Sequence, residues 1–364
     1  MSSRPVLVMA GGTGGHVFPG LAVARALVEQ GVPVTWLGST NGLEAKLVPP
    51  TGIPIEFVSI GGLRGKGLLT KVVAPFRLLF ALLQSLVIMI RLWPRAVLGL
   101  GGFVTGPAGL AAWLARRPLV IHEQNAVAGY TNRILSRLAN EVLEAFPGGF
   151  PEEAGARAVG NPVRREISEL PGPEERMAGR TGPLRLLVFG GSQGSLCLNK
   201  VVPAALALIP ESVRPQVRHQ AGPHTLDVAQ SAYADAGVEG LVTPFIDNMA
   251  EAYAWADLAV CRSGALTVSE LAAAGLGSIL VPFPAAVDDH QTLNAKFLVD
   301  ANAAHLVQEA DLDADRLAAL LTGVIEKDGR AQAMAQAARE LAQPDSLHQL
   351  EVACLEAAGM SVAP

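Results

Sequence analysis

Cysteine is scarce. The three present, Cys197, Cys261 and Cys354, are odd in number and far apart. They form no zinc or redox spacing, so reduced, buried thiols in a cytosolic protein are expected. Nucleotide fingerprints are also missing. Two glycine-rich turns, at residues 11–15 and 190–194, lack both the Gly-x-Gly-x-x-Gly order and the Gly-Lys-Ser/Thr of a Walker loop. That argues against a dehydrogenase and against a phosphate-hydrolysing motor. No His, Asp and Glu cluster has convincing ligand spacing, so no metal or other cofactor is expected. Excess positive charge is absent as well. The formal net charge is -5, and bulk charge does not point to nucleic acid. Residues 1–10 run straight into a strand, without the apolar h-region of a signal peptide.

Glycine and apolar residues are plentiful. The chain has 364 residues, 38 of them glycine, and half are hydrophobic. This suits an α/β protein of two domains, each large enough for its own core. Apolar strand runs are expected at residues 5–10, 33–38, 55–60, 96–100 and 119–122. A helix over 18–30 follows the first turn, with Gly31 as its C′ residue, and a short one covers 42–48. Residues 147–183, rich in Pro, Gly and charge, read as a linker region. The opening pattern then recurs, with a strand at 183–189, a glycine turn and a helix at 196–208. Further strands are expected at 216–220, 241–243, 257–261, 278–281 and 304–307. A helical tail over 314–358 is interrupted near Pro344. Two Rossmann-like domains follow from this repetition.

The organising stretch is residues 263–270, Ser-Gly-Ala-Leu-Thr-Val-Ser-Glu. An apolar strand precedes it and a helix pattern follows. Such a helix N-terminus offers unpaired amides and a positive dipole end, a seat for a diphosphate. Glu270 lies about two turns in, where a carboxylate accepts bonds from ribose hydroxyls. The plainer reading is a Ser-capped helix with a surface Glu. After the strand at 278–281, Asp288, Asp289, His290 and Gln291 form a polar loop. Gln291 suits sugar hydroxyls because an amide both donates and accepts. Its plainer reading is helix capping by Asp288 or Asp289, with His290 and Gln291 exposed. His16, at the exit of the first turn, suits a base or an oxyanion donor; alternatively it caps a helix. Glu44 and Glu123 are the reserve candidates for a base. Glu123, Gln124 and Asn125 follow a strand at its ligand-bearing edge.

Residues 78–90 are almost wholly apolar. At about 13 residues the run is shorter than the roughly 20 a spanning helix needs. We expect a helical region over 68–93 with a broken start at Pro75. Leu68, Val72, Val73, Phe76, Leu79, Phe80 and Leu83 recur at helical spacing beside Lys66, Lys71 and Arg77. The region reads as a core helix or as an apolar face for an anionic membrane surface.

These residues together resemble the MurG family, bacterial UDP-N-acetylglucosamine transferases of peptidoglycan synthesis. The similarity is carried by Met-Ala-Gly-Gly-Thr-Gly-Gly-His-Val-Phe-Pro-Gly at residues 9–20 and Gly-Gly-Leu-Arg-Gly-Lys-Gly at 61–67. It continues through Gly-Gly-Phe-Val-Thr-Gly-Pro at 101–107, His-Glu-Gln-Asn at 122–125 and Gly-Asn-Pro-Val-Arg at 160–164. Gly-Gly-Ser-Gln-Gly at 190–194 and Cys-Arg-Ser-Gly-Ala-Leu-Thr-Val-Ser-Glu at 261–270 complete it. Each turn alone is a weak signal; the ordered set, from about Val6 to Leu306, is specific.

The resemblance implies a GT-B glycosyltransferase fold, two Rossmann-like domains facing across a cleft. Residues 1–162 would form the acceptor and membrane-associating domain, with a C-terminal helix, about 344–364, packing back on it. Residues 163–343 would bind UDP-N-acetylglucosamine (UDP-GlcNAc). The implied reaction is an inverting, metal-independent transfer of GlcNAc. The acceptor is the C4 hydroxyl of MurNAc-pentapeptide diphospho-undecaprenol (lipid I), and the product is lipid II. Thr13, Gly14, Gly15 and Asn125 would face the sugar and diphosphate. Arg164, Ser192, Ile246, Ala265, Leu266, Thr267, Val268, Ser269, Glu270 and Gln291 would hold the donor. Ile246 would read the uracil through its backbone, and His16 would be catalytic. Where the family often has a second glutamine beside Gln291, this chain has His290. The implied partners are the donor, lipid I, the cytoplasmic face of the membrane through residues 68–83, and cell-wall synthesis proteins. Another GT-B transferase with a different acceptor, or a sugar-nucleotide-binding regulator without turnover, are the rival readings.

Overall fold

The computed structural model describes residues 4–60, 68–327 and 329–361, and the side chains of all of these but 68–72 and 287. The expected basic loop at 61–67, with Lys66, lies outside the described residues, as do the side chains of Leu68, Lys71 and Val72. The chain divides into two compact units. One is Met1–Pro162 with Asp345–Pro364, and the other is Val163–Pro344.

The first unit is built on a seven-stranded sheet in the order β3-β2-β1-β4-β5-β6-β7, every pair parallel. The strands are β1 (Val6–Met9), β2 (Val34–Ser39), β3 (Ile55–Val58), β4 (Ala96–Gly99), β5 (Leu119–Glu123), β6 (Glu141–Glu144) and β7 (Arg157–Ala158). The chain order reverses between β1 and β4, the place where an open parallel sheet binds ligands at its carboxyl edge. Alternation along β1 sends Val6 and Val8 to one core and Leu7 and Met9 to the other. The first core takes Val17, Leu21 and Ala24 of α1 (Gly14–Glu29). It also takes Leu350, Ala353, Cys354 and Leu355 of the Ser346–Ala357 helix. The second core takes Ala108 and Ala111 of the Thr105–Leu114 helix, and Ala81, Ile88 and Met89.

The second unit has a six-stranded parallel sheet in the order β10-β9-β8-β11-β12-β13. Its strands are β8 (Arg185–Phe189), β9 (Gln216–Gln220), β10 (Leu241–Thr243), β11 (Leu258–Cys261), β12 (Gly277–Leu280) and β13 (Ala304–Leu306). Here the reversal lies between β8 and β11. Cys261 and Cys354 are buried free thiols and Cys197 is half-buried.

Three expectations need correction. The break at Pro75 does not occur: one helix runs from Leu68 to Leu92 with Pro75 inside. The missing proline amide costs a single intrahelical bond in a helix this long. The apolar stretch is also not too short. Val73–Leu92, 20 residues of mean hydropathy 2.1, is long and apolar enough to cross a membrane by length and composition. Lastly, residues 147–183 are not merely a linker. They hold strand β7 and the short helices Arg165–Ser168 and Pro173–Met177.

The Leu68–Leu92 helix has two faces. Ala81, Ser85, Ile88 and Met89 are buried, whereas Phe76, Leu79, Phe80, Leu83, Val87 and Ile90 are exposed. The exposed set recurs every three or four residues, so it forms one continuous apolar stripe.

Candidate active site

In the first unit the turn between β1 and α1 is shaped by Glu44. This carboxylate is wholly buried. It accepts from the Gly12 amide at 2.9 Å and from the Ser39 amide and hydroxyl at 2.7 and 2.8 Å. Glycine leaves it room: a Cβ on Gly42 would lie 2.1 Å from the carboxylate. Glu44 therefore ties the β1 and β2 loops together and is not a reserve base. The same holds for Glu123, also buried. It accepts from the Asn125 amide and Nδ2, both at 3.0 Å, from the Gly129 amide at 3.0 Å and from Asn132 Nδ2 at 2.9 Å. One oxygen thus holds Asn125 and the other the start of the next helix.

His16 is not at the exit of a turn but inside the first turn of α1, which begins four residues before the expected start. It is half-buried, and its Nδ1 lies 2.8 Å from Gln124 Oε1. Glycine again makes the approach possible. A Cβ on Gly101 would lie 3.0 Å from His16 Cε1 and Nδ1, and one on Gly102 only 2.2 Å from the Gly11 carbonyl. Behind Gln124 stands His122, fully buried. Gln124 Nε2 lies 3.0 Å from its Nδ1, and its Nε2 lies 2.9 Å from the Gly160 carbonyl. Burial pushes the His122 imidazole down to about 4, against the pull of that carbonyl.

In the second unit the glycine turn after β8 packs backbone to backbone on the loop after β9. A Cβ on Gly194, at φ +75°, would fall 1.9 Å from the Ala221 carbonyl oxygen. Ser192 is exposed on this turn. After β11 comes the Ala265–Ala274 helix. Its N-cap is Gly264, no side chain caps it, and its first turn holds no acidic residue. Val268 is the first amide to bond back, to the Gly264 carbonyl at 3.0 Å. The amides of Ala265, Leu266 and Thr267 are thus the end of the helix dipole, at the carboxyl edge of β11. The Arg262 guanidinium anchors the strand end. It donates to the Val281 and Pro282 carbonyls at 3.1 and 3.0 Å and to the Ser195 hydroxyl at 2.8 Å, and pairs with Glu309.

Glu270 is gripped at both oxygens. Arg164 Nε and Nη2 donate to Oε1 at 3.2 and 3.0 Å, and the Tyr253 hydroxyl donates to Oε2 at 3.0 Å. Burial raises its pKa, while Arg164 and Tyr253 hold it down.

The chain matches the glycosyltransferase family 28 N-terminal domain over residues 6–144 and the family 28 C-terminal domain over residues 185–350. It is 58% identical over 356 residues to a protein of Alkalilimnicola ehrlichii, spanning 98% of this chain and 99% of that one. A Marinobacter nauticus protein is 56% identical, spanning 98% of each. Both bear the name UDP-N-acetylglucosamine--N-acetylmuramyl-(pentapeptide) pyrophosphoryl-undecaprenol N-acetylglucosamine transferase. The crystal structure of Acinetobacter baumannii MurG superposes with a TM-score of 0.84 at 42% identity, covering 96% of this chain and 98% of that one. The chain belongs to the MurG family. A calicheamicin glycosyltransferase at 15% identity, with a TM-score of 0.70, shares the GT-B fold.

In this MurG-family chain the expected residues fall in two groups. Thr13, Gly14, Gly15, His16 and Asn125 gather at the carboxyl edge of the first sheet, where β1 and β5 end. Arg164 meets Glu270 directly, on the same helix that carries Ala265, Leu266 and Thr267. Some expectations change on contact with the structure. Val268 is wholly buried and serves the core, and the Ser269 hydroxyl donates to the Ala265 carbonyl. The Ile246 amide donates to Gln220 Oε1 at 3.1 Å, and Gln220 Nε2 donates to the Gly191 carbonyl at 2.8 Å. The Ile246 amide is thus already engaged within the protein. Gln291 Oε1 accepts from the Phe283 amide at 2.9 Å. Neither Asp288 nor Asp289 caps the His290–Val299 helix through its side chain. Asp289 takes the Thr292 hydroxyl instead, and His290 and Gln291 are half-buried. Sequence reasoning placed Gln124 in the polar triplet but gave it no role. It missed Gln220 and Tyr253, whose partners lie 17 or more positions away, where no local periodicity reveals them.

Proposed function

We infer that this chain transfers GlcNAc from UDP-GlcNAc to the C4 hydroxyl of lipid I, giving lipid II. The observation that carries the reading is the near full-length identity to relatives named for that reaction, which takes in both units. Residues 1–162 form the acceptor domain and residues 163–343 the donor domain.

The chemistry is a single inverting displacement. The acceptor oxygen attacks C1 of the sugar from the face opposite the diphosphate. The C1–oxygen bond to UDP breaks, and its electrons leave on the diphosphate. His16 accepts the hydroxyl proton through Nε2. The first-turn amides of the Ala265–Ala274 helix take the growing negative charge on the diphosphate, with Ser192 on the neighbouring turn. Glu270 accepts from the ribose hydroxyls and Arg164 holds Glu270 in place. The Ile246 carbonyl reads uracil, and Gln291 and Asn125 bind the sugar.

The acceptor's diphosphate stays at the bilayer surface, so the enzyme works there. The exposed stripe from Phe76 to Ile90 supports peripheral binding at the cytoplasmic face, within reach of other cell-wall synthesis proteins. The helix is long enough to span, but its other face is committed to the domain core, so it lies on the membrane.

The test is product analysis with purified protein, UDP-GlcNAc carrying a labelled sugar, and a short-chain lipid I analogue. Acceptor-dependent UDP release with a β-linked disaccharide product is expected. UDP release that ignores the acceptor, or a product with retained configuration, would overturn the reading.

A further inference from the structure

The hydrogen bonds behind His16 form a line with a fixed direction. It starts at the Gly160 carbonyl, which can only accept. His122 Nε2, 2.9 Å away, must therefore carry the proton. Because His122 is buried and stays neutral, its Nδ1 is a bare lone pair. Gln124 Nε2, 3.0 Å from that lone pair, must donate to it. The same Nε2 lies 3.2 Å from the His122 carbonyl, a second acceptor, which fixes the orientation of the amide independently. Gln124 Oε1 then faces His16 Nδ1 at 2.8 Å, and an amide oxygen can only accept. Neutral His16 must hold its proton on Nδ1.

We propose that Gln124, set by His122 and the Gly160 carbonyl, is a positioning residue that holds His16 in the Nδ1–H form with Nε2 bare. This rests on the reading of His16 as the base. Its consequence is specific. A free histidine side chain favours the proton on Nε2, which is the wrong nitrogen for a base presenting Nε2. The relay reverses that preference before substrate arrives, as the buried carboxylate of a Ser-His-Asp triad does through the same ring nitrogen, Nδ1. Gln124 and His122 are buried, so their effect runs through His16 and not through contact with substrate. The glutamine, unlike a carboxylate, adds no charge beside the imidazole.

The test uses the full chain with ¹⁵N-labelled histidine and three variants. Nitrogen chemical shifts in the free enzyme should show His16 protonated on Nδ1. Gln124→Met keeps the length of the side chain and removes both bonds. It should move the His16 proton largely to Nε2 and lower kcat by about 10- to 100-fold, with the KM for UDP-GlcNAc unchanged. Gln124→Glu still accepts from Nδ1 and should restore the Nδ1–H form and most of the lost kcat. A wild-type His16 protonated on Nε2 overturns the proposal. So does a Gln124→Met enzyme of normal kcat when His16→Ala is inactive. If His16→Ala keeps its turnover, the base assignment fails, while the nitrogen shifts still judge the relay on its own. Should Gln124→Met not fold, the wild-type shifts and Gln124→Glu decide.

Discussion

Tyr253 donates to Glu270 Oε2 at 3.0 Å while Arg164 holds Oε1, so the carboxylate is aimed before any nucleotide binds. Tyr253 is wholly buried and packs edge-on against Phe189, which fixes its hydroxyl. Replacing Glu270 with Ala should weaken UDP-GlcNAc binding by about 1–3 kcal/mol, the scale of unpaired hydrogen-bonding groups. Tyr253→Phe leaves the carboxylate present but less constrained, and should cost about 0.5–1.5 kcal/mol. Calorimetry of the two variants checks this, and equal affinities in both and in wild type would remove Glu270 from the donor site.

His16→Ala should lower kcat by about 10²–10⁴ and leave donor affinity unchanged. A capping role would instead cost about 1 kcal/mol of stability and spare turnover. Single-turnover rates, measured beside a urea titration, separate the two.

The apolar stripe should act on the lipid and not on the chemistry. Changing Phe76, Phe80 and Leu83 to Ser removes exposed apolar area worth roughly 25 cal/mol per Å² when it leaves water. The variant should bind anionic vesicles poorly and turn over long-chain lipid I slowly, yet process a water-soluble acceptor analogue at close to the normal rate. Because these three side chains are exposed, thermal stability should hold. A drop in melting temperature would mean that they serve the core.

Two buried histidines make the protein sensitive to mild acid. His122 and His219 are each held down to about 4 by burial. His219 is spanned by Asn199 Oδ1 at 3.0 Å and Tyr233 at 3.1 Å. The unfolded chain binds these protons near pH 6.5, the folded one only near pH 4. Stability present at neutral pH is therefore lost as pH falls through that window, about 3 kcal/mol for each histidine. Glu270 and Glu351, raised by burial, act in the opposite sense. Comparing wild type with His219→Gln cancels them. The difference in unfolding free energy between pH 7.5 and pH 4.5 should shrink by about 2–2.5 kcal/mol in the variant. An identical pH dependence in both proteins would show that His219 does not contribute.

Much of this was legible in the chain itself. The strands read as continuous apolar runs because both faces of each sheet are covered. The glycine turns read as ligand loops because they recur after the first strand of each series. The expected strands at 216–220 and 241–243 match β9 and β10. Strands β6 and β7 escaped notice. Glu141 and Glu144 bracket only two apolar residues, and β7 is two exposed residues on the sheet edge. Pro75 misled because proline rules are local, whereas this helix is held by a packed face several turns long. At the candidate site the residue types were visible but not their allegiance. Glu44, Glu123 and His16 all suit a base by type. Only the bonds to Gly12, Ser39, Asn132 and Gln124 show which two are scaffolding.

The Ser346–Ala357 helix closes a core whose other walls are β1, β4 and α1. A ribosome emits those walls first and then the whole of the second unit before this helix appears. The second unit, continuous in sequence, can fold while synthesis proceeds. The first must wait with an open apolar face, and its completion is a late, long-range closure of the kind that slows folding. During that interval the exposed surface is a substrate for chaperones, and the quality of the last helix sets how briefly.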